Sequence, residues 1–354
     1  MHIVALSLGR RGKGVKHNPS LDGIRALAAL AVAMFHCKLP FTPGGFIGVD
    51  VFFVLSGFLI TSLLKSETEQ TGTIALTQFY VRRALRLWPP LLVFLAVYAV
   101  AAPVLFAPAS VWQQLALAGL YLADYGRAFW GEPSTLTHTW SLSVEEHFYM
   151  LWPAVILLIS RRCSDRQAVV LLLGLFVAAS MWRMIDLIAW GDWRHTYFRF
   201  DTRMSGLILG AAVAYLPWRP SASQANLLGI AGLIGMAAAI ALLDKYVLAL
   251  LPVGMLIDMC SAALVLAAIQ EGSIIAGALR ARPLAALGLI SYSLYLWSVP
   301  IAVVFRSHFG PYTSFSATAV LSIGIATASW WLMERPLKAY RLKVAKPMML
   351  AVTV

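Results

Sequence analysis

An arginine and a histidine share one apolar run. In residues 21–40, LDGIRALAALAVAMFHCKLP, Arg25 and His36 are eleven positions apart. On a helix that separation is about three turns, so both side chains leave nearly the same face, about 16 Å apart along the axis. Ionisable groups in such a run are costly in lipid, so they face a bundle interior or a wet cavity and mark functional candidates. Asp22 and Arg25 are i,i+3 neighbours and can pair. The blander reading is a snorkelling Arg25 and an interfacial His36, which does not require the shared face.

Further polar residues interrupt the next apolar runs. GGFIGVDVFFVLSGFLITSLL carries Asp50 near one end and Ser56-Gly57 at mid-depth. Asp50 follows a short turn after His36, so the two are expected to meet at one depth, where a carboxylate orients an imidazole. Ser56-Gly57 fits plain helix packing equally well. In FYVRRALRLWPP, Arg83 and Arg86 fall i,i+3 on one face. Their planar forks suit phosphate, although a positive-inside anchor reads the same way from spacing alone. In HTWSLSVEEHFYMLWP, Ser141, Glu145 and Tyr149 repeat every four residues on one helical face, and Glu146 is expected to turn away.

Other candidates are weaker. Arg203 in FDTRMSGLILGAAVAY, the Ser/Tyr-rich SYSLYLW and Glu334 in MERPLKAY read as structural or supporting. Cys37 adjoins His36, but side chains at i,i+1 do not face each other on a helix. Cys37, Cys163 and Cys260 are widely spaced, and His138, His147, His195 and His308 lack zincin-like spacing, so no metal site is expected.

The elements that must position these residues are membrane helices. The 354 residues are 60% hydrophobic and 12% charged, against about a quarter charged in a soluble domain. The formal net charge is +12, but no basic stripe with interleaved aromatics lies outside the apolar runs, which excludes nucleic acid as a partner. The basic residues are instead orientation signals and headgroup contacts. A spanning helix needs about 20 mostly apolar residues. Ten stretches qualify: 21–38, 45–64, 87–107, 140–160, 168–190, 202–217, 226–243, 247–269, 284–305 and 315–333. Segment 111–124 is short and carries Gln113 and Gln114.

Loop charge decides that segment. If it does not cross, Arg10, Arg11, Lys13 and Lys16, then Lys65, Arg82, Arg83 and Arg86, then Arg161, Arg162 and Arg166, then the basic C-terminal tail all lie inside. The expected fold is therefore an all-α polytopic bundle of ten transmembrane helices with both termini cytoplasmic, and 111–124 in-plane or re-entrant on the outer side. Residues 191–203 break the charge pattern, placing Arg194, Arg199 and Arg203 outside as a functional lip. The expected organisation is a basic cytoplasmic tail (1–18) without a signal peptide, one membrane domain (19–340) and a cytoplasmic C-terminal tail (341–354). No internal repeat is evident.

Taken in order, Arg25-x10-His36, GVDVFFVLSGFLI, FYVRRALRLWP and WSLSVEEHFYMLWP resemble the bacterial membrane acyltransferase family known as acyltransferase-3. RMSGLILGAAVA, SYSLYLW and ERP also fit, so the resemblance runs from about residue 19 to 340. It implies a ten-helix core, acyl-coenzyme A (acetyl-CoA by default) as co-substrate, and O-acylation of a cell-surface or exported glycan at the bacterial cytoplasmic membrane. It implies functional weight for His36, Arg25, Arg83, Arg86 and Glu145. The family often has His after YLW, where this chain has Ser298. The chain stops soon after the tenth stretch, so no extracytoplasmic esterase-like domain is expected.

The expected site therefore has His36, Asp50 and Glu145 as catalytic groups and Arg25, Arg83 and Arg86 holding the donor phosphates. Asp22, Ser56, Ser141, Tyr149, Arg203 and Glu334 support them. No cofactor is expected to be tightly bound; the partners are acyl-CoA, a glycan at the outer face and membrane lipids. The competing class is a glycan or lipid transporter or flippase with His36 and Glu145 as a proton relay; the blandest is a membrane scaffold.

Overall fold

The computed structural model describes residues 17–344. The Arg10, Arg11, Lys13 and Lys16 cluster, and Lys346 of the C-terminal tail, lie outside the described residues. The described residues form helices α1 (Pro19–His36), α2 (Gly48–Thr71), α3 (Leu76–Leu105), α4 (Val111–Gly119), α5 (Ala123–Trp130) and α6 (Trp140–Arg162) in the first half. The second half continues with α7 (Asp165–Trp190), α8 (Trp193–Phe198), α9 (Phe200–Arg203), α10 (Ser205–Tyr215), α11 (Ala222–Leu242) and α12 (Tyr246–Leu250). It ends with α13 (Pro252–Ala268), α14 (Ile274–Leu279), α15 (Arg282–Leu289), α16 (Ser291–Arg306), α17 (Pro311–Ser329) and α18 (Arg335–Val344). The described residues contain no strand.

Local sequence sets several helix ends. Asn18 caps α1 by accepting from the Ser20 amide at 2.9 Å, and Pro19 occupies the first turn, where its missing N–H costs nothing. Gly72, with φ of 73°, ends α2 and lets α3 begin four residues later. Ser164 and Gln167 form a reciprocal capping box at the start of α7.

This is a multi-pass membrane protein. Six helical segments are long and apolar enough to cross: Gly45–Thr71, Leu76–Leu105, Thr137–Arg162, Asp165–Trp190, Ala222–Leu242 and Pro311–Lys338. Helices α15 and α16 make a seventh only as a pair bent by 77°. The other three expected spans also fall on helices, but α10 and α13 have 11 and 17 residues, and the 18 of α1 include Asp22, Arg25 and His36. Length and apolarity thus account for six or seven crossings rather than ten. Segment 111–124 folds as α4, of nine residues, followed by the start of the eight-residue α5. Neither reaches across a hydrocarbon core of about 30 Å. Gln114 is buried: its Oε1 accepts from the Thr135 amide at 3.1 Å and the Thr135 hydroxyl at 3.0 Å.

Close backbone contacts hold the centre together. A Cβ on Gly57 of α2 would collide with the Leu207 carbonyl of α10, and one on Gly210 of α10 with the Val54 carbonyl of α2. The two helices therefore touch backbone to backbone, as small residues allow in membranes. In the same way Gly288 of α15 lies against the Asp22 carbonyl of α1, bringing Asp22 and Arg25 beside the α15–α16 bend. Two hydrogen bonds tie α2 to α6: Ser56 Oγ to Glu145 Oε1 at 2.5 Å, and Trp152 Nε1 to Thr61 Oγ1 at 2.7 Å.

Candidate active site

A cavity of about 450 Å³ opens between α1, α2, α3, α6 and α16. Its walls carry Asp22 and Arg25 of α1, Ser56 of α2, Arg83 and Arg86 of α3, and Ser141, Glu145 and Tyr149 of α6. Tyr292 and Tyr295 of α16, Glu334 and Lys338 complete it. Residues spread over more than three hundred positions thus meet around one space, and the Ser141, Glu145 and Tyr149 face of α6 is turned into it.

Charge is distributed unevenly. Asp22 lies 2.5 Å from His17 Nε2 and 3.9 Å from Arg25 Nη1. The Arg83 guanidinium lies over Tyr149, 3.2 Å from the ring centroid, an arrangement that suits its weak hydration. Arg83 Nη2 is also 3.6 Å from Glu146 Oε1. Glu146 is absent from the cavity wall, turned away from the Ser141, Glu145 and Tyr149 face as helical spacing predicts, and the long Arg83 side chain reaches past Tyr149 to meet it. Glu334 lies in a π-helical turn, Trp330–Glu334, and accepts from Ser293 Oγ at 2.7 Å and Ser329 Oγ at 3.1 Å. Elsewhere on the wall the Tyr295 and Ser141 hydroxyls are 2.8 Å apart, and Tyr295 also donates to the His138 carbonyl at 2.8 Å.

His36 does not line this cavity. It ends α1, partly buried, with its carbonyl accepting from Arg306 Nη1 at 3.0 Å. The expected contact between His36 and Asp50 is not made. Asp50 Oδ1 is instead 2.7 Å from Arg203 Nη2, and its Oδ2 has no hydrogen-bond partner among the described residues. The physical reason is charge: a buried carboxylate needs a compensating cation, and the buried Arg203 guanidinium supplies it. Arg203 is buried to 1% exposure and lies over Tyr197, 4.6 Å from the ring centroid. Nearby, Ser205 Oγ accepts from Arg183 Nη1 at 3.1 Å and donates to Asp258 Oδ2 at 2.9 Å. Asp50 and Arg203 so belong to a buried ionic knot beside the cavity. In the lip at 191–203, Arg199 is held by Asp186, at 2.9 Å, and by Asp201.

Sequence reading passed over Tyr292, Tyr295, His17 and Lys338 as members of the cavity wall. The polar residues of SYSLYLW were the available signal for the tyrosines; nothing local marks His17 or Lys338, which reach the cavity only through tertiary packing. Together the walls offer three guanidiniums, a carboxylate held by a hydroxyl, and a pair of adjacent hydroxyls, a set that suits an extended anionic molecule.

A family model described as an acyltransferase domain matches residues 18–334. The O-acetyltransferase OatA of Staphylococcus aureus is 32% identical over 354 residues, covering 91% of this chain and 57% of the relative. The peptidoglycan O-acetyltransferase OatA of Listeria monocytogenes is 34% identical over 310 residues, covering 81% of this chain and 49% of the relative. The chain spans about half the length of these relatives. No solved structure matches it.

Proposed function

Since the chain belongs to the acyltransferase family whose model covers residues 18–334, we propose that it is an integral-membrane O-acyltransferase. It moves an acyl group, acetyl by default, from cytoplasmic acyl-CoA to a hydroxyl of a cell-surface or exported glycan. The named relatives act as O-acetyltransferases, one of them on peptidoglycan. The reading places the chain in the bacterial cytoplasmic membrane with ten crossings and both termini inside, α10 and α13 being short spans.

One observation carries the reading: Arg25, Arg83 and Arg86 share the wall of one cavity with Glu145 and Tyr149. Guanidinium forks bind phosphates bidentately, so the nucleotide end of acyl-CoA rests there. The pantetheine arm, similar in reach to the roughly 16 Å between Arg25 and His36, runs toward Ser141 and Tyr295 and continues past them to His36. A glycan hydroxyl arrives from the outer side. His36 takes its proton as general base, or first accepts the acyl group itself. Glu145, fixed by Ser56, holds the arm in register. Asp50 and Arg203 act one step away, by fixing α2 against α9 and α10.

The test is acetyl-CoA consumption by purified protein in lipid, with a glycan acceptor and mass spectrometry of the product. General-base help is worth about 10² to 10⁴ in rate. His36→Ala is therefore expected to lose product to that extent while still accumulating in membranes. Full activity in that variant contradicts the mechanism. A flippase with a His36 and Glu145 proton relay would move glycan without consuming acetyl-CoA.

A further inference from the structure

One cation on the cavity wall has no acid to pair with. Trp330, Glu334 and Lys338 follow one another at intervals of four residues, and all three line the cavity. The chain passes there through the π-helical turn Trp330–Glu334, closed by the Arg335 amide donating to the Trp330 carbonyl, and continues as α18. Such wide turns recur at functional sites. A glutamate four residues before a lysine is the favoured helical ion pair, yet Glu334 and Lys338 do not form it. Glu334 is buried, and its Oε1 is taken by the Ser293 and Ser329 hydroxyls. Lys338 is exposed and makes no ion pair among the described residues. Its Nζ lies over the Trp330 ring, 5.9 Å from the centroid. Two arginines of the same wall differ from it. Arg25 is 3.9 Å from Asp22 and Arg83 is 3.6 Å from Glu146, with side chains only 19% and 13% exposed.

We propose that Lys338 forms a subsite for a phosphate monoester, the 3′-phosphate on the ribose of the coenzyme A donor. This inference rests on the acyl-CoA reading above and deepens it, since it sets the donor apart from an acyl group carried on a bare pantetheine arm. Acyl-CoA carries two kinds of phosphate. The diphosphate joins adenosine to the pantetheine arm, and the 3′-monoester hangs from the ribose, away from the thioester. Planar forks fit the diphosphate bidentately, and the more enclosed Arg25 and Arg83 supply them. A monoester left at the open part of the wall suits a point charge on a flexible stem, which is what Lys338 offers. The two serines that hold Glu334 keep its carboxylate from neutralising that charge, and Trp330 keeps the ammonium at the wall until a ligand comes. A lipid headgroup phosphate presents the same chemistry to an exposed lysine. Two donors that differ only at the ribose 3′ position tell these sources apart.

The experiment measures equilibrium binding of acetyl-CoA and of acetyl-3′-dephospho-CoA to the full chain in phosphatidylcholine nanodiscs. A charge-assisted contact at an exposed site lies at the weak end of its range, so the wild type is expected to prefer acetyl-CoA by about tenfold. Lys338→Met is expected to weaken acetyl-CoA by that factor and leave the dephospho donor unmoved, so that the two bind alike; Lys338→Arg is expected to keep the preference. A wild type without preference, a Lys338→Met that weakens both donors equally, or one that keeps the preference overturns the proposal. Discs containing phosphatidylglycerol supply the other arm: a loss in Lys338→Met that appears only with this lipid, and for both donors, assigns the lysine to a headgroup and overturns the subsite. Should Lys338→Met fail to fold, competition decides on the wild type. Adenosine 3′,5′-bisphosphate is expected to displace acetyl-CoA better than adenosine 5′-phosphate does, and equal displacement overturns the subsite. A wild type that binds neither donor removes the acyl-CoA reading itself, a result distinct from any of these.

Discussion

The Asp50–Arg203 pair sits at 2.7 Å with both side chains buried. Breaking such a pair from one side strands the other charge, which costs about 3–5 kcal/mol. Arg203→Met is accordingly expected to lower the thermal midpoint of the protein in detergent, and adding Asp50→Asn to recover much of the loss by removing the stranded carboxylate. Equal midpoints for the single and double variants would show that Asp50 is not what Arg203 neutralises. Residue types were legible before the partners were. Arg25, Arg83, Arg86, Ser141, Glu145 and Tyr149 stand out because each is polar at a fixed interval in an apolar run, and all six line one cavity. Asp50 stands out equally, but its partner is 153 positions away in sequence, and spacing within one helix carries no information about such a contact. Glu146 shows the same limit: helical periodicity gives the direction of its Cβ, and the reach of Arg83 decides what it meets.

Helix contacts explain which substitutions the scaffold can absorb. Gly57 and Gly210 are where α2 and α10 meet backbone to backbone, while a Cβ on Gly174 of α7 would touch nothing within 4 Å. Gly57→Leu is expected to prevent accumulation of folded protein, because there is no flexible side chain to give way, only the Leu207 carbonyl. Gly174→Leu is expected to accumulate as wild type does, and membrane yields of the two variants compare them directly. Comparable yields would mean that α2 and α10 are not in backbone contact. Hydropathy located every long helix, since lipid imposes an apolar run on anything that crosses it. It was silent on the bend of 77° between α15 and α16 and on the shortness of α10, both of which depend on neighbours that shield irregular backbone. The non-spanning character of 111–124 was legible from two glutamines and the loop charges, and Gln114 turns out to be buried against Thr135.

For the whole molecule, the cavity proposed to take the donor is ringed by basic residues. Arg25, Arg83, Arg86 and Lys338 stand around it, and the net charge of +12 draws anionic molecules toward that face. The most direct measurement is equilibrium binding of acetyl-CoA to the full chain in lipid nanodiscs, wild type against Arg83→Ala. A charge-assisted hydrogen bond is worth about 1.5–3 kcal/mol, so the account predicts saturable binding that weakens about ten- to a hundredfold in the variant. Absent binding, or an identical Kd in Arg83→Ala, would contradict it.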